Sequence, residues 1–404
     1  MPTKTNEIPD VIVVGGGPAG LTAAVMLAKG GLNTVLAGKK PAKSDNRTTA
    51  LLSGSVTALK TLGVWPLCEH AAAPFRTLRI VDDTGRLWQA PEVKFTCDEI
   101  GLDAFGYNIE NHQLIAALEQ RARTLAGLRV IDDEVVNIVL ADDIVTVSRR
   151  NGEALHASLV VGADGRRSMC RTAAGIKIDE RSYPQTALTV CLRHSRPHHD
   201  TSTEFHTANG PFTLVPLPGN RSSLVWVLDP SDADQLADLD DSELSDEIER
   251  ASHSILGKIE VEPGRGLFPL HVATARRFAD KRIALVGEAA HVVAPIGAQG
   301  LNLGLRDAAT IGELAVAAHR GGREIGGADM LSRYDQMRRA DIGSRTLAID
   351  VLNRTLLSDF LPTQALRGIG LYLIDNIGPL RRALMREGIA PAASQPRLMR
   401  GEML

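Results

Sequence analysis

The sequence predicts an α/β protein built as two lobes, with helices closing its C-terminal part. Three observations predict it. A short apolar run at residues 10–14 passes through Gly15-Gly16-Gly17-Pro18-Ala19-Gly20 into a helical pattern and then a second apolar run, which is the opening of a Rossmann-like dinucleotide-binding unit. Residues 187–193, 212–217 and 223–228 carry the pattern of an antiparallel sheet. Residues 276–286 then return to a buried strand, followed by a Gly-rich turn at 295–300 and another helical run. The chain has 404 residues, and single cores stop growing near about 250–300 residues.

The elements follow in order. Residues 18–29 place Leu21, Ala24, Val25, Leu27 and Ala28 at helical spacing, and residues 34–37 read as the next strand. Residues 47–62 begin as a polar turn and continue as a helix. Residues 78–88 alternate around Asp83-Thr84-Gly85 and predict a hairpin. Residues 111–125 form an amphipathic helix, and residues 135–147 and 155–161 read as strands meeting near Asn151-Gly152. Residues 232–250 hold nine acids and one arginine over an apolar face of Leu236, Leu239, Leu244 and Ile248, so they predict a solvated helix and no metal site. From residue 329 the pattern is helical to about residue 386.

Composition excludes several classes. A net charge of −3 and 4% aromatic residues give no basic or stacking surface for nucleic acid. Cys68, Cys97, Cys170 and Cys191 form no metal-ligand spacing, and they fit a reduced, cytoplasmic compartment. The polar first ten residues lack the apolar core of a signal peptide, and no apolar run reaches the roughly 18 residues of a membrane span. The histidines at 194, 198 and 199 lack a carboxylate partner at ligand spacing and read as a polar loop.

The chemistry concentrates in two stretches. Gly15 permits a tight turn, Gly17 lets a pyrophosphate approach the backbone, and Gly20 lets helix and strand pack closely. The acid that usually closes the second strand and binds ribose is absent. Gly38 stands there, followed by Lys39 and Lys40, which fits a backbone or water contact or a lysine near the adenosine phosphate. In the second stretch, Gly287-Glu288-Ala289-Ala290-His291 leads through Pro295, Gly297, Gln299 and Gly300 to Leu301 and Asn302. A helix beginning there aims N–H groups and partial positive charge at one point, which suits an edge that becomes anionic, such as the N1/C2 side of a reduced flavin. His291 reads as a structural histidine.

The block Pro295-Ile296-Gly297-Ala298-Gln299-Gly300-Leu301-Asn302-Leu303-Gly304-Leu305-Arg306-Asp307 resembles the second flavin-contacting motif of the class A flavoprotein aromatic hydroxylases, above all their ubiquinone-biosynthesis branch. Residues 45–55, 107–114 and 159–168 resemble further blocks of that family, and Phe268-Pro269-Leu270 resembles its Tyr/Phe-Pro-Leu segment. The resemblance implies non-covalent FAD held by Gly15, Gly17, Gly20, Gly38, Arg47, Asn111, Asp164, Gly287, Glu288, Gly300, Leu301 and Asn302. Asn111 is expected to cap its helix as well, and Asp164 to accept either from a ribitol or ribose hydroxyl or from a local amide. Pro295, Gly297, Gln299 and Gly300 are expected to shape the flavin face, with no side chain acting as acid or base and no metal.

The implied activity is hydroxylation of an aromatic ring by O2 through a flavin C4a-hydroperoxide, with NAD(P)H or another electron donor. The implied substrate is a polyprenylated phenol of ubiquinone biosynthesis. The implied partners are the membrane surface, met at its inner face, and proteins of that pathway. Residues 360–404, with six arginines against three acids, are a candidate docking segment through Arg367, Arg381, Arg382 and Arg386. Two alternatives stand beside this reading: a hydroxylase of a small soluble phenol, and a flavin-binding assembly partner without turnover. The expected boundaries are 8–77, 105–180 and 271–345 for the FAD-binding lobe, 78–104 and 181–270 for the substrate lobe, and 346–404 for the C-terminal helical region.

Overall fold

The computed structural model describes residues 8–39, 47–85, 91–294, 298–357, 378–389 and 395–404. Strand β1 (Val11–Val14) is buried along its whole length, as a parallel strand covered on both faces must be. Helix α1 (Pro18–Lys29) starts on a proline, whose missing N–H is no loss at that position. Strand β2 (Thr34–Ala37) pairs parallel to β1. Strand β3 (Thr48–Leu52) then runs directly into α2 (Ser53–Leu62). The polar turn expected before α2 is a strand, because residues 48–52 find a distant antiparallel partner in residues 106–110.

Strands β4 (Ala72–Phe75), β5 (Thr77–Asp82), β6 (Val93–Thr96) and β7 (Gly106–Glu110) follow. The expected hairpin is the antiparallel pair β5–β6, whose second strand lies later than residue 88. Residues 86–90 lie outside the described set. Strand β7 sits between β3 and β4 in a small antiparallel sheet. Helix α3 (Asn111–Arg123) and β8 (Leu128–Ile131) return to β2. Strands β9 (Val135–Leu140), β10 (Val145–Arg149) and β11 (Leu155–Ala157) make a second small sheet, and β12 (Leu159–Gly162) lies parallel to β1.

Beyond the short helix α4 (Met169–Ala173), the long strand β13 (Ile178–His194) carries the chain into a second lobe with β14 (Thr201–His206), β15 (Pro211–Leu217) and β16 (Arg221–Leu228). The acidic stretch is two helices, α5 (Pro230–Asp238) and α6 (Asp241–Ala251). They separate at Asp240, whose carboxylate accepts from the Ser242 and Glu243 N–H groups while Glu243 returns a bond to Asp240 N. Strands β17 (Ile259–Val261) and β18 (Gly266–Ala275) complete this lobe. Strands β19 (Ala279–Asp280) and β20 (Ile283–Leu285) return to the first sheet, β21 (His291–Val292) pairs with β18, and α7 (Gln299–Arg320), α8 (Ala328–Leu357) and α9 (Gly378–Ile389) follow.

The first sheet has the order β19-β20-β12-β1-β2-β8, parallel except for the edge strand β19. Helix α7 lies against α1 because small residues let it: a Cβ on Gly312 would sit 2.7 Å from Met26 Sδ, and one on Gly30 would sit 2.2 Å from Val316 Cγ2. The larger sheet runs β21-β18-β13-β16-β15-β14-β5-β6, with β17 beside β13. Strand alternation sorts its side chains. Leu188, Phe212, Leu214 and Leu224 face outward and pack with Ala233 of α5 and Leu244 and Ile248 of α6. Leu78, Val215 and Ser223 face the first lobe, where Val215 and Leu78 pack with Phe75 and Phe105, and Asn108 Nδ2 donates to Ser223 Oγ at 2.9 Å.

The C-terminal part packs on both lobes. Helix α9 buries Met385 beside Phe75, Cys97 and Phe105, and residues 397–400 tuck Leu398 and Met399 into the main core near α2 and α7. Arg381, expected on a membrane-facing surface, is turned inward instead. Its Nε donates to Glu99 at 2.6 Å, and its guanidinium lies 4.4 Å from the Phe95 ring centroid. Arg382 and Arg386 are exposed, and Arg367 lies outside the described residues. No described helix is long and apolar enough to cross a membrane.

Candidate cofactor and substrate site

The glycine loop after β1 separates two requirements. Gly15 has φ +120°, and a Cβ there would lie 2.2 Å from the Ala163 carbonyl oxygen; a Cβ on Gly20 would lie 2.1 Å from the Gly15 oxygen. Those two glycines are demanded by the protein's own packing. At Gly17 a Cβ would meet nothing within 4 Å. Gly17 is the N-cap of α1, and no side chain caps that helix. The start of α7 is likewise without a side-chain cap, and its N-cap residue Ala298 holds the left-handed conformation at φ 55°.

The two helix starts meet. A Cβ on Gly304 would lie 3.2 Å from Gly287 Cα and 3.4 Å from Ala19 Cβ, so the N-terminal parts of α1 and α7 approach closely where Ala19, Gly287 and Gly304 are small. Two helix N-termini without side-chain caps therefore stand side by side, each with partial positive charge and N–H groups pointing outward. That arrangement fits a dinucleotide such as FAD, with pyrophosphate at the first terminus and the flavin's carbonyl edge at the second. Gly300 and Leu301 belong to the first turn of α7, and a Cβ on Gly300 would meet nothing within 4 Å. Pro295 and Gly297 lie outside the described residues.

Gly38 has a packing reason to lack a side chain. A Cβ there would sit 2.9 Å from Gly16 N and 3.0 Å from Gly15 Cα, pressing on the loop itself. Lys39 pairs with Glu134 at 2.7 Å on the surface and is not held toward a phosphate.

Several expected contacts are committed within the protein. Asp164 accepts from Ser168 Oγ at 2.6 Å and from the Met169 and Cys170 N–H groups at 2.7 and 3.0 Å, so the local-amide alternative is the one realised in this structure. Asn111 does not cap α3: Glu110 is the cap residue, and the Asn111 side chain accepts from Thr49 Oγ1. The Asn302 amide is saturated, accepting from Leu52 N and Ser55 Oγ and donating to the carbonyls of Ala50 and Ala298. It ties α7 to β3 and α2, so its side chain is committed within the protein. Glu288 is exposed and pairs with Arg166 at 3.3 Å. Arg47 lies over Phe268, 5.6 Å from its ring centroid.

A buried charge network fixes the loop and α7 together. Asp307 Oδ2 accepts from Gly287 N at 2.9 Å and lies 2.7 Å from His291 Nε2, while Oδ1 accepts from Arg338 Nε at 2.6 Å. Arg338 also donates to Asp341, and Arg306 makes a two-point contact with Asp341. Burial alone would push the Asp307 carboxyl up, but the neighbouring His291 and Arg338 and the Gly287 N–H outweigh it and hold it below the ordinary value. The structural reading of His291 matches its place here. Arg338 and Asp341 were not legible as site residues; their only sequence signal is an i, i+3 pair of opposite charge on a helix.

The inward face of the larger sheet is the opposite wall. Thr189, Thr213, Val215, Val225 and Phe268 lie on it by register and are all half-buried, whereas Leu188, Val190, Phe212, Leu214 and Leu224 on the outward face are buried. A partly open, mainly apolar wall facing the flavin position can receive an aromatic ring.

Comparison with known proteins agrees with this geometry. Residues 9–347 match the family model described as FAD binding domain. The chain is 34% identical to ubiquinone hydroxylase UbiL of Rhodospirillum rubrum, over 98% of this chain and 94% of that protein. It is 31% identical to 3-demethoxyubiquinol 3-hydroxylase of Escherichia coli, over 95% of this chain and 98% of that protein. The crystal structure of p-nitrophenol 4-monooxygenase PnpA from Pseudomonas putida shares the fold, with a TM-score of 0.78 at 21% identity over 94% of this chain and 97% of that one.

Proposed function

The chain belongs to the FAD binding domain family of flavoprotein monooxygenases, and from that premise we propose that it hydroxylates the ring of a polyprenylated phenol in ubiquinone biosynthesis. It is an FAD-dependent monooxygenase that uses O2 and takes an aromatic substrate. The observation that carries the finer reading is the end-to-end likeness to two ubiquinone-pathway hydroxylases. The half-buried, mainly apolar inward wall supports it, because such a wall suits a ring bearing an apolar tail.

The bound flavin supplies the oxygen-transfer chemistry, with electrons from NAD(P)H or another donor. The chain's own residues do the rest. The Gly15–Gly20 loop and the start of α1 would hold the pyrophosphate. Gly300 and Leu301 would present N–H groups, and Gly287 and the Asn302 backbone close main chain, to the flavin edge. Arg47 over Phe268 would border the space between flavin and sheet, and Thr189, Thr213 and Val225 would orient the ring and exclude water. A membrane-resident substrate implies surface contact with the bilayer, for which Arg382 and Arg386 are the exposed candidates on α9.

Lipid-quinone profiling of a strain lacking this protein tests the reading by mass spectrometry. Accumulation of a prenylated phenol one ring oxygen short of the product supports it. An unchanged quinone profile, together with oxidation of a small soluble phenol by the purified protein, would favour the soluble-phenol alternative.

A further inference from the structure

One polar cluster on the inward face of the larger sheet places a carboxylate among otherwise neutral side chains. Register places Glu204 opposite Thr213 on β15 and opposite Ile80 on β5, and places His206 opposite Asp82. Thr213 is in turn opposite Val225, which stands opposite Thr189. All belong to the row set that includes Ser223 and Val215, the residues already shown to face the first lobe. Glu204 is therefore a carboxylate on the face of the sheet that looks toward the first lobe, in one row with Ile80, Thr213 and Val225.

Its geometry is that of a held acceptor. His206 Nε2 lies 2.7 Å from Glu204 Oε1, and His206 is buried. An ionised carboxylate has no proton to give, so the ring N–H is the donor of that contact. Thr213 Oγ1 donates to Oε2 across a longer 3.3 Å. The Glu204 side chain is 22% exposed. One oxygen is thus held closely by His206, two residues along the same strand and face, while the other has only the longer contact across to β15.

The geometry points to Glu204 as the acceptor for the substrate's ring hydroxyl, with His206 and Thr213 as positioning residues that hold its carboxylate. The inference rests on the phenol reading of the substrate. A carboxylate that accepts a phenol O–H draws the proton toward itself and leaves the ring richer in electrons, which is the property an electrophilic oxygen donor requires. It also selects a free hydroxyl over an alkylated one, because an ether oxygen would face the carboxylate with no proton to share. Chemistry that removes an O-methyl group or leaves this hydroxyl unmethylated must then precede the reaction.

The test uses the full-length, FAD-loaded protein and two probes in detergent micelles: a geranyl-substituted phenol and its methyl ether. Perturbation of the flavin absorbance reads the affinity for each. The wild type should bind the phenol about tenfold or more tightly than the ether. Glu204→Gln, which keeps shape and loses charge, should reduce that ratio to about threefold or less while leaving ether affinity and FAD content unchanged. Thr213→Val should reduce the ratio partly, and His206→Gln should do the same. A Glu204→Gln protein with the wild-type ratio overturns the role. Equal binding of both probes by the wild type also overturns it and leaves the hydroxylase reading intact. Binding of neither probe removes the prenylated-phenol reading, and this inference with it. If Glu204→Gln fails to bind FAD, the ratio in Thr213→Val decides: an unchanged ratio there overturns the role.

Discussion

Arg338 Nε donates to Asp307 Oδ1 at 2.6 Å with neither side chain more than 2% exposed, so one buried ion pair joins α8 to α7 behind the flavin loop. Asp307 uses its other oxygen for Gly287 N and His291. A single carboxylate in the third turn of α7 therefore ties that helix to the strand-to-loop corner at Gly287.

Removing the cation takes one arginine from each of two buried carboxylates, while Asp307 keeps His291 and the Gly287 N–H and Asp341 keeps Arg306. Arg338→Met should cost about 3–5 kcal/mol, because losing one partner of a buried pair leaves the other less compensated. Urea unfolding of the FAD-loaded protein checks it, and a loss under about 1 kcal/mol would show that the network relaxes around the gap.

The same carboxylate gives a pH signature. Its folded value is lowered, so its contribution to stability is fully present above the ordinary aspartate value of about 4 and is lost as pH falls through the lowered value. Stability measured by urea melts between pH 7 and pH 3 should fall less steeply at the acid end for Asp307→Asn, which starts from a lower plateau. Identical acid slopes in the two proteins would assign the acid limb to other carboxylates.

Gly15 and Gly17 should respond oppositely. Gly15→Ala meets the Ala163 carbonyl at φ +120° and should lower the stability of the protein even without cofactor, by about 1–3 kcal/mol or more. Gly17→Val has open space and should leave the cofactor-free melting temperature within about 2 °C of wild type while abolishing FAD retention. A Gly17→Val protein purified yellow, at full FAD occupancy, would mean that the pyrophosphate lies elsewhere.

Asn302→Ala removes four hydrogen bonds at once and leaves Leu52 N among the groups without its partner. A loss of about 2–4 kcal/mol is expected. Hydrogen exchange should report it first at residues 48–55 and 298–302, the two segments the amide joins. Protection unchanged in both segments would sink the clamp role.

Arg381→Gln tests the inward placement of α9. The pair with Glu99 is partly exposed, so its loss should cost no more than about 1 kcal/mol. Exchange should quicken at residues 93–100 and 378–389, while binding to anionic vesicles stays unchanged. Arg382→Gln with Arg386→Gln should show the reverse pattern if α9 meets a bilayer.

The glycine loop and its flanking strands were legible because each depends on neighbours in sequence: a buried apolar run, a turn that only glycine permits, and a proline at the first helical position. The strand at 48–52 was not, because its pairing partner lies near residue 110 and nothing local requires extension. Asn302 and Asp164 were legible as conspicuous residues but not in their use. Whether an amide or carboxylate points at a ligand or at Leu52 N depends on a contact across the fold. Arg338 left almost no trace, since a buried arginine reads from sequence like an exposed one. Glu204 came only from register, which fixes the face of the sheet to which a residue belongs.

The cofactor site joins chain segments that lie far apart: Ala19 near one end of the sequence touches Gly287 and Gly304, and the parallel sheet between them gains β20 only after the whole second lobe has been made. Such contacts close slowly, because long loops must be brought together before any of them is rewarded. A nucleus of β1, β2 and α1 emerging from the ribosome would gain β8 and β12 by residue 162, but α1 would wait for α7 through the synthesis of more than half the chain. Flavin, touching both halves when it arrives, would act as a late rivet. Scarcity of riboflavin in the cell should then show as early proteolysis of newly made protein, before it shows as lost activity among older molecules.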